Sequence, residues 1–179
     1  MIKPRHLLLP TLLTGLLFAL PVRAATTPAL TFTVSAVITK GCAFGSTPVS
    51  PITNLGTMNF GSFSTVPSNV DIASTSGAGS VVVTCTPGTA VSIAMDYGIH
   101  GGNVTQRYMA NAAGTETLAY QLYQNNARTL VWGTGAQAMT VASFPATTQT
   151  YTVYGRMFAV STLPSAGTYT DTVTVTLTY

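Results

Sequence analysis

From Thr168 to Tyr179 the chain reads T-Y-T-D-T-V-T-V-T-L-T-Y. Tyr169, Val173, Val175, Leu177 and Tyr179 share one parity, and Thr170, Thr172, Thr174, Thr176 and Thr178 share the other. Side chains of a strand alternate with period two, so this segment presents one apolar face and one hydroxyl face. Near the other end Leu30, Phe32, Val34, Ala36 and Ile38 alternate in the same way. The same periodicity predicts strands over 30–39, 55–60, 79–86, 90–96, 117–124, 150–158 and 168–179, and almost no helix. A β-protein patterned this strongly at both ends must pair both end strands with something. If the first of them pairs with another molecule, the product is a polymer.

The segments between, 43–54, 61–78, 98–116, 125–149 and 159–167, are rich in Ser, Thr, Gly, Asn and Pro and read as loops. They are not domain linkers, because no strand group alone could bury a core. About seven short strands with turn signals between them predict a single all-β domain, an immunoglobulin-like β-sandwich.

The N-terminus stands apart from that domain. Lys3 and Arg5 precede an apolar run from Leu7 to Val22, and Val22-Arg23-Ala24 supplies a cleavage site. Residues 1–24 are therefore expected to be a secretory signal peptide cut after Ala24. No later segment is long and apolar enough to span a membrane. Losing Lys3, Arg5 and Arg23 leaves Lys40, Arg107, Arg128 and Arg156 against Asp71, Asp96, Glu116 and Asp171, a mature net charge of zero. Nucleic-acid binding needs clustered cations, and none remain. In an exported protein Cys42 and Cys85 read as a disulfide. It would close a loop of about 44 residues and contribute on the order of 4 kcal/mol.

Candidate chemistry is sparse. His100 sits in Gly98-Ile99-His100-Gly101-Gly102 with no G-x-S-x-G elbow elsewhere. The four acids, Asp71, Asp96, Glu116 and Asp171, show no sequence sign of converging as a carboxylate pair. The Gly-rich stretches lack the lysine and following helix of a phosphate loop. Asn103-Val104-Thr105 matches a glycosylation triplet, and Trp132 is the only tryptophan, expected in or near the core. Neither an enzyme nor a cofactor or metal site is predicted.

Several segments together carry a resemblance. They are Met58-Asn59-Phe60-Gly61, Gly79 to Gly88 around Cys85, Arg107-Tyr108-Met109, Leu118-Ala119-Tyr120-Gln121-Leu122-Tyr123, Val131-Trp132-Gly133, Tyr151-Thr152-Val153-Tyr154-Gly155-Arg156 and Gly167 to Asp171. In this order they resemble the spore coat protein U domain family, whose best-understood members are pilins of the archaic (Csu-type) chaperone–usher pathway. The resemblance covers nearly the whole mature chain. It implies an incomplete immunoglobulin-like sandwich, completed by donor-strand exchange. A periplasmic chaperone fills the hydrophobic groove first, and at the outer-membrane usher the N-terminal segment of the next subunit replaces it.

Carried onto this sequence, residues 25–40 are the donor segment and 41–179 the pilin domain. Leu30, Phe32, Val34, Ala36 and Ile38 would enter a neighbour's groove, bordered in part by Val173, Val175, Leu177 and Tyr179. The Tyr179 carboxylate would anchor the chaperone. The implied function is a structural subunit of an adhesive surface pilus (fimbrium), exported through the periplasm and supporting attachment and biofilm formation. Its partners are the chaperone, the usher and neighbouring pilin subunits in a homo- or heteropolymer. Two other readings stand beside it. One is a tip or surface adhesin acting through loops 98–116 or 125–149. The other is a self-contained spore or cell-surface coat protein with 26–38 paired in its own sheet. Periodicity alone does not separate a donated first strand from a retained one.

Overall fold

The structure, a computed structural model, describes residues 29–47, 52–162 and 164–179. The expected signal peptide with its cleavage site at Ala24, and the start of the donor segment, lie outside the described residues. Eleven strands follow in chain order: β1 Cys42–Phe44, β2 Val70–Ala73, β3 Val81–Cys85, β4 Val91–Met95, β5 Arg107–Asn111, β6 Thr117–Tyr123, β7 Met139–Val141, β8 Gln149–Tyr151, β9 Tyr154–Met157, β10 Tyr169–Thr170 and β11 Val175–Thr178. Among the described residues the only helical element is a 3-10 turn at Gly135–Gln137.

The ladders are antiparallel and form three sheets, in the orders β1-β3-β8, β10-β5-β6-β9-β2 and β11-β4-β7. All three sheets face one core. Val81, Val83 and Cys85 come from β3, Val91, Ile93 and Met95 from β4, Tyr120 and Leu122 from β6, and Met157 from β9. Burying each large aliphatic side chain contributes roughly 1.5–3 kcal/mol, so the strict alternation of β3 and β4 fixes their register. Their junction is Thr86-Pro87-Gly88-Thr89, where Thr89 N–H donates to the Thr86 carbonyl at 3.2 Å and Gly88 has φ 79°. Proline at the second position and a left-handed glycine at the third are what a type II turn requires.

Two segments predicted as single strands are each divided between sheets. The 150–158 segment breaks at Thr152 and Val153. Val153 N–H donates to Ser74 Oγ at 2.8 Å, and Ser74 N–H donates to the Val153 carbonyl at 2.8 Å. Its first part, β8, therefore pairs β3, and its second, β9, pairs β2 and β6. The 168–179 segment turns at Asp171, whose carboxylate accepts from Ile99 N–H, Thr172 N–H and the Tyr120 hydroxyl. β10 pairs β5 before this corner, and β11 pairs β4 after it. Strands that change sheet through a bend are how sandwiches make corners.

Other expectations need correction. Residues 30–39 carry no ladder at all. Residues 55–60 make a single bridge, Gly56 to Ala78; Leu55, Met58 and Phe60 pack on the core without joining a sheet. β1, β2, β5 and β7 fall in segments read wholly or mostly as loops. β1, β2 and β7 run three or four residues, too short for a period to register, and the buried positions of β5 are Arg107 and Ala110, which carry no hydrophobic period.

Candidate functional site

Among the described residues β1 and β11 are edge strands of their sheets, and each pairs on one side only. The hydrogen-bond alternation of an antiparallel ladder shows which groups face outward. Gly45 N–H donates to the Val82 carbonyl and Thr86 N–H to the Gly41 carbonyl, so Gly41 and Gly45 bond toward β3. Cys42 and Phe44, between them, turn their backbone groups away from it. The Phe44 carbonyl accepts from Ile52 N–H at 3.2 Å, leaving the rest of this edge open among the described residues. On the last strand, Asp96 N–H donates to the Thr174 carbonyl at 3.0 Å, and Thr176 and Thr178 sit opposite Ala94 and Ser92. Val173, Val175 and Leu177 therefore direct their N–H and C=O groups outward, along an unpaired edge.

A cleft opens beside β1 and the end of β3, lined by Ile38, Cys42, Ala43, Cys85, Pro87 and Tyr179. The Cys42–Cys85 disulfide is formed and lies in its wall. It ties the first residue of β1 to the last of β3, where the two also face each other in the ladder. Of the predicted final-strand residues, Tyr179 lines the cleft and Val173, Val175 and Leu177 do not. Val173, Val175 and Leu177 pack on the core yet stay half-buried, whereas Ile93 on the neighbouring strand is 0% exposed. Tyr179 is 60% exposed. This apolar face is thus covered from one side only.

Of the predicted donor residues, Ile38 lines the cleft, and all of them are exposed. Leu30 is 97% exposed and Phe32 86%. Val34, Ala36 and Ile38 are exposed too, and so is Val37 of the other parity. An apolar segment in water with no ladder carries a large unrealised burial energy, roughly 1.5–3 kcal/mol for each large side chain.

The candidate catalytic groups serve the fold. Asp71 receives Arg156 Nε at 2.7 Å, with Arg128 Nε at 3.3 Å. The Arg156 hydrogen bond holds its carboxyl below the usual range, against a smaller opposing effect of burial. Asp96 Oδ1 accepts from Gly98 and Thr174 N–H. Glu116 accepts from Ser165 N–H and the Tyr169 hydroxyl, which lower its pKa. His100 Nε2 stands 4.0 Å from Asp171 Oδ1. Asn103 Oδ1 accepts from Thr105 N–H and Oγ1 within its own exposed loop. Trp132 is fully buried, its Nε1 donating to the Ile93 carbonyl at 2.8 Å.

Sequence reasoning missed one residue of consequence. Arg107 is fully buried at the start of β5. Its guanidinium donates to the Asp96 carbonyl at 2.6 Å, the Trp132 carbonyl at 2.7 Å and Gln121 Oε1, and it lies 5.2 Å from the Tyr97 ring centroid. Burial lowers its pKa. It fastens the loop after β4 and the loop after β6 to one cation. Its sequence signals are a charge at the first position of an otherwise half-apolar strand and its place in the Arg107-Tyr108-Met109 motif.

Comparison with known proteins agrees with this architecture. A profile of the Spore Coat Protein U domain matches residues 29–176. Protein U of Myxococcus xanthus is 36% identical over 137 residues, 69% of this chain and 72% of that protein. Among solved structures, the fold matches the crystal structure of the CsuC–CsuE chaperone–tip adhesion subunit pre-assembly complex from archaic chaperone-usher Csu pili of Acinetobacter baumannii. That match has a TM-score of 0.51 at 20% identity, and covers 79% of this chain and 40% of that one. The chain thus spans well under half of the matched chain's length, and at this identity the likeness is one of fold.

Proposed function

The chain belongs to the Spore Coat Protein U domain family, and on that premise we propose that it is a structural subunit of a chaperone–usher surface pilus. Residues 25–40 act as the donor segment and 41–179 as the acceptor domain. The subunit passes through the periplasm on a chaperone, reaches an outer-membrane usher, and polymerises with neighbouring pilins at the cell surface. Attachment and biofilm formation follow from the fibre; no catalysis is assigned to the subunit.

One observation carries this reading. The edges of β1 and β11 are open among the described residues, and Cys42, Ala43 and Tyr179 line an apolar cleft, while Leu30, Phe32 and Val34 lie exposed and unladdered in an alternating segment. A strand added to an open edge gains main-chain hydrogen bonds along the backbone and fills pockets with alternate side chains. Leu30, Phe32 and Val34 together could contribute very roughly 5–10 kcal/mol gross, before ordering costs.

The test is deletion of residues 25–37 from the mature subunit. The truncated protein is expected to co-purify with its chaperone and to stop fibre extension. A copy of residues 26–38 fused after Tyr179 is expected to give a soluble monomer that needs no chaperone. Normal polymerisation of the truncated subunit would overturn the proposal. So would a full-length chain stable as a free monomer with 26–38 in its own sheet.

A further inference from the structure

Thr174, Thr176 and Thr178 are exposed on the outer face of the last strand, while Val173, Val175 and Leu177 between them pack on the core. The register extends this outer face over the neighbouring strands. Thr176 stands opposite Ala94, Thr178 opposite Ser92, and Ser92 opposite Thr140. Strand geometry sets the hydroxyls about 6.5–7 Å apart along β11 and about 4.8 Å from the next strand. Elsewhere the hydroxyls of Thr84 and Thr148 bond to each other at 2.7 Å. Those of Thr174, Thr176 and Thr178 reach no such partner among the described residues. Asp96 borders the row, and its Oδ1 already accepts from Gly98 and Thr174 N–H.

The N-terminal arm carries the same chemistry. Leu30, Phe32, Val34, Ala36 and Ile38 share one parity, and Thr31, Thr33, Ser35, Val37 and Thr39 share the other. The next step rests on the donor-strand reading above. A strand that joins the open edge of β11 with its apolar parity toward the core turns the other parity outward, whichever way it runs. Thr31, Thr33 and Ser35 then stand beside the threonine row of β11. The outer face becomes four strands wide, over the arm, β11, β4 and β7, and a fibre repeats it once per subunit.

The composition of this face selects its partner. Each hydroxyl both donates and accepts hydrogen bonds. The arm from Leu30 to Thr39 and the strands β11, β4 and β7 contain no lysine or arginine, so a polyanion gains no ion pair here. A purely apolar partner would bury the hydroxyls unpaired. The complement is flat, uncharged and itself covered in hydroxyls. We infer that the threonine face of β11, widened by the inserted arm, binds a neutral polysaccharide whose chains lie side by side, as in an unsubstituted glucan. Each contact is weak, and repetition along the fibre supplies the avidity.

The test is co-sedimentation of fibres of the full-length subunit with microcrystalline cellulose. Wild-type fibres are expected to pellet with cellulose equally at roughly 0.05 and 0.5 M salt, and to stay in suspension without it. A triple variant, Thr174→Val, Thr176→Val and Thr178→Val, keeps the β-branched shape and loses the hydroxyls. Its fibres are expected to bind at least about tenfold more weakly. Ser92→Ala with Thr140→Val lies away from the open edge and gives a second reading, an intermediate loss, where the triple variant does not assemble. Wild-type fibres that ignore cellulose, or variants that bind as tightly as wild type, would overturn the inference. So would wild-type fibres that pellet together without cellulose while the triple variant does not, because the face would then be meeting a second copy. Thr31→Val with Thr33→Val separates this inference from the reading beneath it, and is expected to weaken binding as well. If it changes nothing while the β11 variant loses binding, the arm does not lie beside β11 and the donor-strand reading fails, with the β11 face still standing. Where no fibre forms at all, that reading fails alone, and the subunit coupled densely to beads gives the same comparison on cellulose.

Discussion

Single residues in this domain act mainly through the main chain. Arg107 has no carboxylate in contact; its fork is spent on two carbonyls and an amide oxygen. Arg107→Met would leave those acceptors buried without donors. The expected cost is on the order of 3–5 kcal/mol, read as a lowered midpoint of urea unfolding. Arg107→Lys keeps the charge but not the planar fork, and is expected to fall between the two. Tyr120 makes a pH prediction. Burial first, and then its 2.6 Å hydrogen bond to Asp171, push the phenol far above its ordinary value. The folded state therefore holds this proton more tightly than the unfolded chain does. The associated stability is complete below about pH 10 and is lost as pH rises beyond it. Burial also raises Tyr123 and Tyr151, so all three contribute to alkaline unfolding. Tyr120→Phe is expected to shallow the stability slope above pH 10 by up to one proton, about 1.4 kcal/mol per pH unit, while costing some stability at neutral pH through the lost hydrogen bond. An unchanged alkaline slope in the variant would show that the other tyrosines dominate.

At the scale of elements, legibility depended on how many positions repeat. β3, β4 and β6 were read correctly because each runs five to seven residues with apolar side chains facing the core. β5 was not, because its two buried positions are Arg107 and Ala110, which carry no hydrophobic signal. The parity of the last segment was legible and holds: from Tyr169 to Thr178 odd positions are half-buried and even ones exposed. Its division into β10 and β11 was not, since Asp171 keeps the parity while redirecting the chain through its side-chain acceptors. Residues 30–39 show the opposite limit. Their alternation is that of a strand, yet a period reports only what a segment is suited to pair with, not where the partner is. Cys42 and Cys85 were legible as a pair from compartment alone. That their bridge lines the cleft depends on β1 lying beside β3, which no local pattern encodes.

For the molecule as a whole, charge decides how it meets a partner strand. Residues 29–179 carry four cations and four anions. Asp71 takes up Arg156 and sits near Arg128, and Arg107 is buried. Apart from Tyr179, the cleft residues bear no ionisable side chain. The donor segment from Leu30 to Ile38 has none either. Long-range steering needs opposed fields, and neither surface supplies one. Insertion should therefore proceed by backbone pairing and apolar burial alone. Its association rate, measured with the 26–38 peptide by stopped-flow fluorescence, is expected to change by less than about twofold between roughly 0.05 and 0.5 M salt. A rate that fell steeply with salt would place charge recognition at the cleft, against the composition of both surfaces. A rate that rose with sulfate in place of chloride would fit, because sulfate strengthens apolar burial without changing the charges on either strand.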